Sequence, residues 1–183
     1  MIQKIMKSVN QVYNNIVHGT IYLALDYVYQ MTVDRAPESA CGVSSLSILT
    51  GIDVNVIDKY FKKKNPRLLY RQDQTNHLAY LRMKGYRLKQ LTAERKYYTP
   101  TDDDFQKMRY ELLQGRPILY HLPKHYLVCV GVNSDSDFIF HDPAGDKRKG
   151  YFKDQFAGNG VIYTRDNLKK WKIKYTIYSV RND

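Results

Sequence analysis

Only two cysteines, Cys41 and Cys129, occur in the 183-residue chain. Two thiols cannot build a disulfide framework, and in a reducing compartment both are expected to be free. No apolar run approaches the roughly 18–20 residues needed to span a bilayer. The first thirty residues lack a secretory pattern, because Gln, Asn and Lys interrupt every apolar stretch and no A-x-A cleavage site follows. The expectation is a cytoplasmic protein, with association with a virion or export by a dedicated system left open. No C-x-x-C or H-E-x-x-H spacing appears, and no glycine-rich phosphate loop does. Neither a metal nor another cofactor is therefore expected. Internal repeats and low-complexity segments are missing too, which argues against a solenoid or a linker-rich chain.

What is present is a basic, apolar-rich chain. The net charge is +11, hydrophobic residues make up 43% and tyrosines number 17. The apolar share supports a packed core and excludes a disordered chain. The charge favours a polyanion or an acidic partner, although a solvated basic surface explains it equally well. The densest clusters are Lys62-Lys63-Lys64 and Lys169-Lys170 with Lys172 and Lys174. Oligomeric state is not legible.

Residues 2–17 place Ile2, Ile5, Met6, Val9, Val12, Tyr13, Ile16 and Val17 at helical spacing, with Gly19 as a C-cap. Residues 21–30 read as extended. A helix follows Cys41 and ends near Gly51, and Asp53 caps a second one to Phe61. Lys62 to Pro66 reads as a solvated loop. Asp73 or Thr75 starts a helix through Met83, and residues 86–91 read as a strand. Thr101 and Asp104 form a capping box for a helix to Gln114. The pattern then turns to β: RPILYHL, the continuous apolar run HYLVCVGV, a turn at NSDSD, FIFHDP, and a short strand near 160–164. WKIKYTIYSV alternates as a half-exposed edge strand would. The fold class is α+β, with helices packed on a mostly antiparallel sheet. The chain reads as one domain over 1–183: an N-terminal helical extension at 1–19, a core at 20–164 and a C-terminal strand at 165–183.

Cys41 stands after a turn-rich loop at the start of a helix, where unpaired N–H groups and a partial positive charge stabilise an anionic sulfur. Gly42 leaves room for a substrate backbone beside it, and the Cys41 N–H points to where an oxyanion would form. Taken alone, Cys41 also reads as a small buried hydrophobe. His125 opens the strand HYLVCVGV and Asp142 closes the next, FIFHDP, so a hairpin brings both to one end of the sheet. Imidazole there can accept the thiol proton and a carboxylate can orient the ring. His121 is the alternative base. His141 faces the other side of its strand as a structural residue, His77 sits on a helix as a surface or packing residue, His18 lies near a helix end, and Cys129 belongs to the core.

The order of nucleophile on a helix, then base and acid on adjacent strands, is papain-like. The hairpin HYLVCVGV…FIFHDPAGD followed by YFKDQF, with a CG helix start, resembles the bacteriocin-processing, double-glycine-leader type of cysteine peptidase over about residues 25–157. The resemblance implies a papain-like fold, a protein or peptide substrate whose identity does not carry over from the family, and an oxyanion-hole glutamine ahead of the nucleophile. Gln30 is the nearest glutamine upstream, at a longer gap than the family uses. The expected function is a cysteine peptidase acting through Cys41, His125, Asp142 and Gln30 on a peptide or isopeptide bond. The alternative is a catalytically silent module of the same fold that binds nucleic acid or an acidic protein through its basic surface.

Overall fold

The continuous apolar run becomes the middle of the sheet. In the computed structural model, which describes residues 19–93 and 97–182, His125–Val132 forms strand β4 and all eight of its residues are buried. It is flanked by β3 (Ile118–Leu122) and β5 (Phe138–His141), both antiparallel to it and both buried throughout. A strand covered on both faces cannot alternate polar and apolar residues, which is why these segments read as solid hydrophobic runs. Further out lie β6 (Val161–Tyr163) beyond β5, and β7 (Tyr178–Asn182) and β2 (Tyr86–Gln90) beyond β3. A two-residue strand β1 (Ile21–Tyr22) pairs with the far end of β4. There Gly131 has no side chain, and a Cβ would stand 2.2 Å from the Ile21 carbonyl oxygen. All pairings among the described residues are antiparallel, and the α+β reading holds.

Helix α1 (Cys41–Thr50) packs against β4, with nine of its ten residues buried. Its neighbour α2 (Val54–Lys64) is capped by the Asp53 carboxylate, which accepts from the N–H groups of Asn55 and Val56. Helix α3 (Gln74–Met83) is capped by Asp73, and α4 (Asp102–Leu113) carries the expected Thr101–Asp104 capping box. Each cap satisfies N–H groups that a helix start otherwise leaves unpaired.

Four expectations change. Lys62-Lys63-Lys64 is the last turn of α2 and not a loop; cations at a helix C-terminus are favourable against its dipole. Residues 21–30 are strand only at β1, and Gln30–Thr32 is a 3-10 turn. The segment 165–183 is not one strand. Arg165–Trp171 is helix α5, started by a Thr164–Asn167 capping box, and Lys172 leaves it at φ 62°. Finally β7 is no edge strand, since it lies between β2 and β3. The expected helix at residues 2–17 lies outside the described residues.

Candidate active site

Cys41 is the first residue of α1, and no side chain caps that helix. The N–H groups of its first turn are thus not consumed by a neighbouring hydroxyl or carboxylate, and they face the sulfur's end of the helix. The loop in front is fixed from the outside. Arg71, fully buried, donates to the Ala36 carbonyl at 2.6 Å and to Asp58, while Arg35 donates to the same carboxylate at 3.0 Å. Gln72 donates to the Ser39 carbonyl at 3.0 Å. The two cations hold the Asp58 carboxyl below its ordinary range against the opposing effect of burial.

His125 and Asp142 meet as the hairpin geometry requires. The His125 Nε2 donates to Asp142 Oδ1 at 2.6 Å, which leaves Nδ1 for the nucleophile, and Cys41 is close enough to the same ring to raise its pKa. Asp142 is fully buried, and both of its carboxylate oxygens have donors. Tyr163 donates its hydroxyl to Oδ2 at 2.8 Å, and the Ala144 N–H donates to Oδ1 at 3.1 Å. Burial pulls the imidazole's pKa down. The Asp142 carboxylate and the Cys41 sulfur outweigh it, and the pKa of His125 is pushed up to about 10. The ring is therefore held as imidazolium at neutral pH, the partner an anionic sulfur requires.

Gln30 is buried and lines the same cavity as Cys41. Its backbone N–H donates to the Pro143 carbonyl at 2.9 Å, next to Asp142, and its side-chain Nε2 donates to the Pro37 carbonyl at 2.8 Å, four residues before Cys41. The bond to Pro37 draws the long excursion between Gln30 and Cys41 closed, and the bond to Pro143 ties its start to the Asp142 turn. One Nε2 hydrogen is left over, since the amide nitrogen carries two.

The other histidines separate cleanly. His121 is stacked on Tyr126, with centroids 3.8 Å apart, and has no carboxylate partner among the described residues. Burial and the Lys174 cation pull its pKa down to about 2. His121 and His125 are four residues apart, a spacing that aligns two ligands on a helix, but here they stand on opposite strands of a hairpin. His141 donates to the Leu25 carbonyl at 2.9 Å and accepts from the Gly160 N–H, so its role is structural. His77 is wholly buried, its Nε2 2.6 Å from the Arg71 carbonyl oxygen, and burial draws its pKa down to about 4. Gly42 faces this histidine and not a substrate: a Cβ there would stand 2.4 Å from His77 Cε1. The expectation that Gly42 opens space beside the sulfur is corrected accordingly. Cys129 is a buried thiol against the Gly131 carbonyl, and burial pushes its pKa up.

Two residues escaped the sequence reading. Tyr163, the inward-facing end of β6, anchors Asp142. Tyr151 lays its ring 4.8 Å from that of His125, tilted 44° to it. The alternation in GVIYT was the available signal for Tyr163; Tyr151 opens the YFKDQF segment of the resemblance, but nothing there assigned it a place beside His125.

A cavity of about 560 Å3 opens over Cys41 and His125. In fold, the chain is similar to a double glycine motif protease. The solved structure is that of such a protease from an AMS/PCAT transporter in complex with the leader peptide; the TM-score is 0.46 at 15% identity, with 87% of this chain and 94% of that chain covered. No protein-family model matches the chain, and no curated protein does either. No helix among the described residues is long and apolar enough to cross a membrane.

Proposed function

We propose that this chain is a papain-like cysteine peptidase. The observation that carries the reading is the buried His125–Asp142 bond of 2.6 Å made through Nε2, with Cys41 at an uncapped helix start lining the same cavity as the ring. In the proposed reaction the Cys41 sulfur attacks the carbonyl carbon of a peptide or isopeptide bond. The oxyanion forms beside the Cys41 N–H and the free Nε2 hydrogen of Gln30. His125 gives its proton to the leaving amine, and the C–N bond breaks to leave a thioester on Cys41. Water, deprotonated by His125, then attacks the thioester; the acid product leaves and the sulfur is restored as the anion. Asp142 keeps the ring oriented throughout and stabilises its charged form, and Tyr163 holds Asp142.

The test is intact-protein and peptide mass spectrometry after treatment of the folded chain with a peptidyl acyloxymethyl ketone. One adduct is expected, on Cys41, with Cys129 untouched. His125→Ala should abolish the adduct and His121→Ala should retain it. Equal modification of the two cysteines, or an adduct that survives His125→Ala, contradicts the reading.

A further inference from the structure

The wall of the active-site cavity next to the catalytic hairpin is cationic. The β3–β4 turn that delivers His125 also places Lys124 on the cavity, in a left-handed conformation with φ 63°. Lys174 joins it from the segment after α5, its backbone N–H donating to the His121 carbonyl at 2.9 Å and its ammonium 4.8 Å above the Tyr175 ring. Neither ammonium has a carboxylate partner among the described residues. His121, 2% exposed, lines the same cavity, and its buried Nδ1 has no hydrogen-bond partner among the described residues. Among the described lining residues only Glu38 is acidic.

Buried polar atoms without partners cost free energy unless a ligand supplies one. When a peptide enters and excludes water, two ammonium groups and an unpaired imidazole nitrogen become harder to leave uncompensated. An apolar or basic substrate side chain makes that worse. A carboxylate relieves it, accepting from both ammonium groups and from the neutral ring's one N–H.

We infer that Lys124, His121 and Lys174 form a subsite for a carboxylate side chain, so that the substrate is an acidic peptide segment with Asp or Glu close to the cut bond. This rests on the peptidase reading and names the substrate class for the same cleft. The net charge of +11 acts in the same direction at long range, steering acidic chains toward the protein. The subsite assigns the selectivity to three residues and not to that diffuse field.

The experiment measures protection of Cys41 from iodoacetamide, a small neutral reagent, by degenerate dodecapeptide mixtures matched in everything except Glu, Gln or Lys. The Glu mixture should protect at roughly tenfold lower concentration than the Gln mixture, the size of effect a charge-assisted hydrogen bond commonly carries. The Lys mixture should protect least. In the Lys124→Gln/Lys174→Gln double variant the Glu advantage should vanish, each protection being read against that variant's own unprotected rate. Equal protection by the Glu and Gln mixtures overturns the subsite, and so does a Glu advantage that survives in the double variant. The peptidase reading fails separately, and before any peptide is added, if iodoacetamide alone modifies Cys41 no faster than Cys129.

Discussion

At the scale of single residues, the decisive quantity is the charge on His125. Its pKa stands at about 10 against an ordinary 6.5 because Asp142 and Cys41 overcome burial. A raised folded-state pKa contributes stability in full below the unfolded value, and that contribution is lost as pH climbs through the folded one. Here the window runs from about 6.5 to about 10. The same proton is needed by the leaving amine, so activity should hold through neutrality and fall on an alkaline limb near pH 10. Asp142→Asn removes the main force raising the pKa and leaves burial, which lowers it. The variant should fold, lose turnover by roughly 10²-fold or more, and show its alkaline limb at lower pH. A pH–rate profile with the limb unmoved would mean that Asp142 does not hold the proton on His125. Cys41, His125 and Asp142 were legible because each sits at an element end that the sequence marks: a loop-to-helix junction and the two ends of a hairpin. Gln30 came from resemblance alone. Tyr163 was not legible, because its link to Asp142 spans two strands and no spacing rule connects a tyrosine to a carboxylate 21 residues upstream.

At the scale of elements, the acid depends on how closely the chain packs behind it. The Asp142 N–H donates to the Gly158 carbonyl at 2.9 Å, and Tyr27 donates its hydroxyl to the Asp142 carbonyl at 3.0 Å. A Cβ on Gly158 would stand 2.0 Å from the Asp142 carbonyl oxygen and 2.8 Å from the Tyr27 hydroxyl. Backbone cannot yield there as a flexible side chain does. Gly158→Ala should cost about 1–3 kcal/mol, the usual penalty of overpacking, and lower the rate by displacing Asp142 from His125. Thermal unfolding and turnover measured together check this; an unchanged rate at reduced stability would show that Asp142 keeps its place without Gly158. Capping chemistry made α2, α3 and α4 readable, since Asp53, Asp73 and Thr101 bond as their sequence context implies. Thr164 and Asn167 form a capping box too, but the segment was read by the alternation from Trp171 to Ile177. Ile173 and Ile177 are wholly buried, but Thr176 is buried beside Ile177 and Tyr175 only half-buried, so the alternation breaks down in an irregular segment. Period two reports which side chains face inward and not whether the backbone pairs.

At the scale of the whole molecule, the end of the described chain is structurally central. β7 pairs along all five of its residues with β2 and joins β3 through Ser179–Ile118 and Tyr178–Leu119. Without it, β2 loses its partner and β3 exposes an edge of unpaired N–H and C=O groups on a strand that is buried throughout. Ser179 also donates to Glu111 at 3.1 Å, and this fully buried carboxylate is otherwise held by Lys89 and Arg116. Removing Ser179 leaves part of a buried charge less compensated, which adds to the lost sheet. A chain ended after Ile177 should therefore have no cooperative thermal transition and should aggregate through β3, even though every residue of the proposed active site is still present. Differential scanning calorimetry and light scattering on that truncation read the two outcomes. A sharp transition near that of the full chain would show that β7 is an accessory strand, and that residues up to Ile177 suffice to hold Cys41, His125 and Asp142 in place.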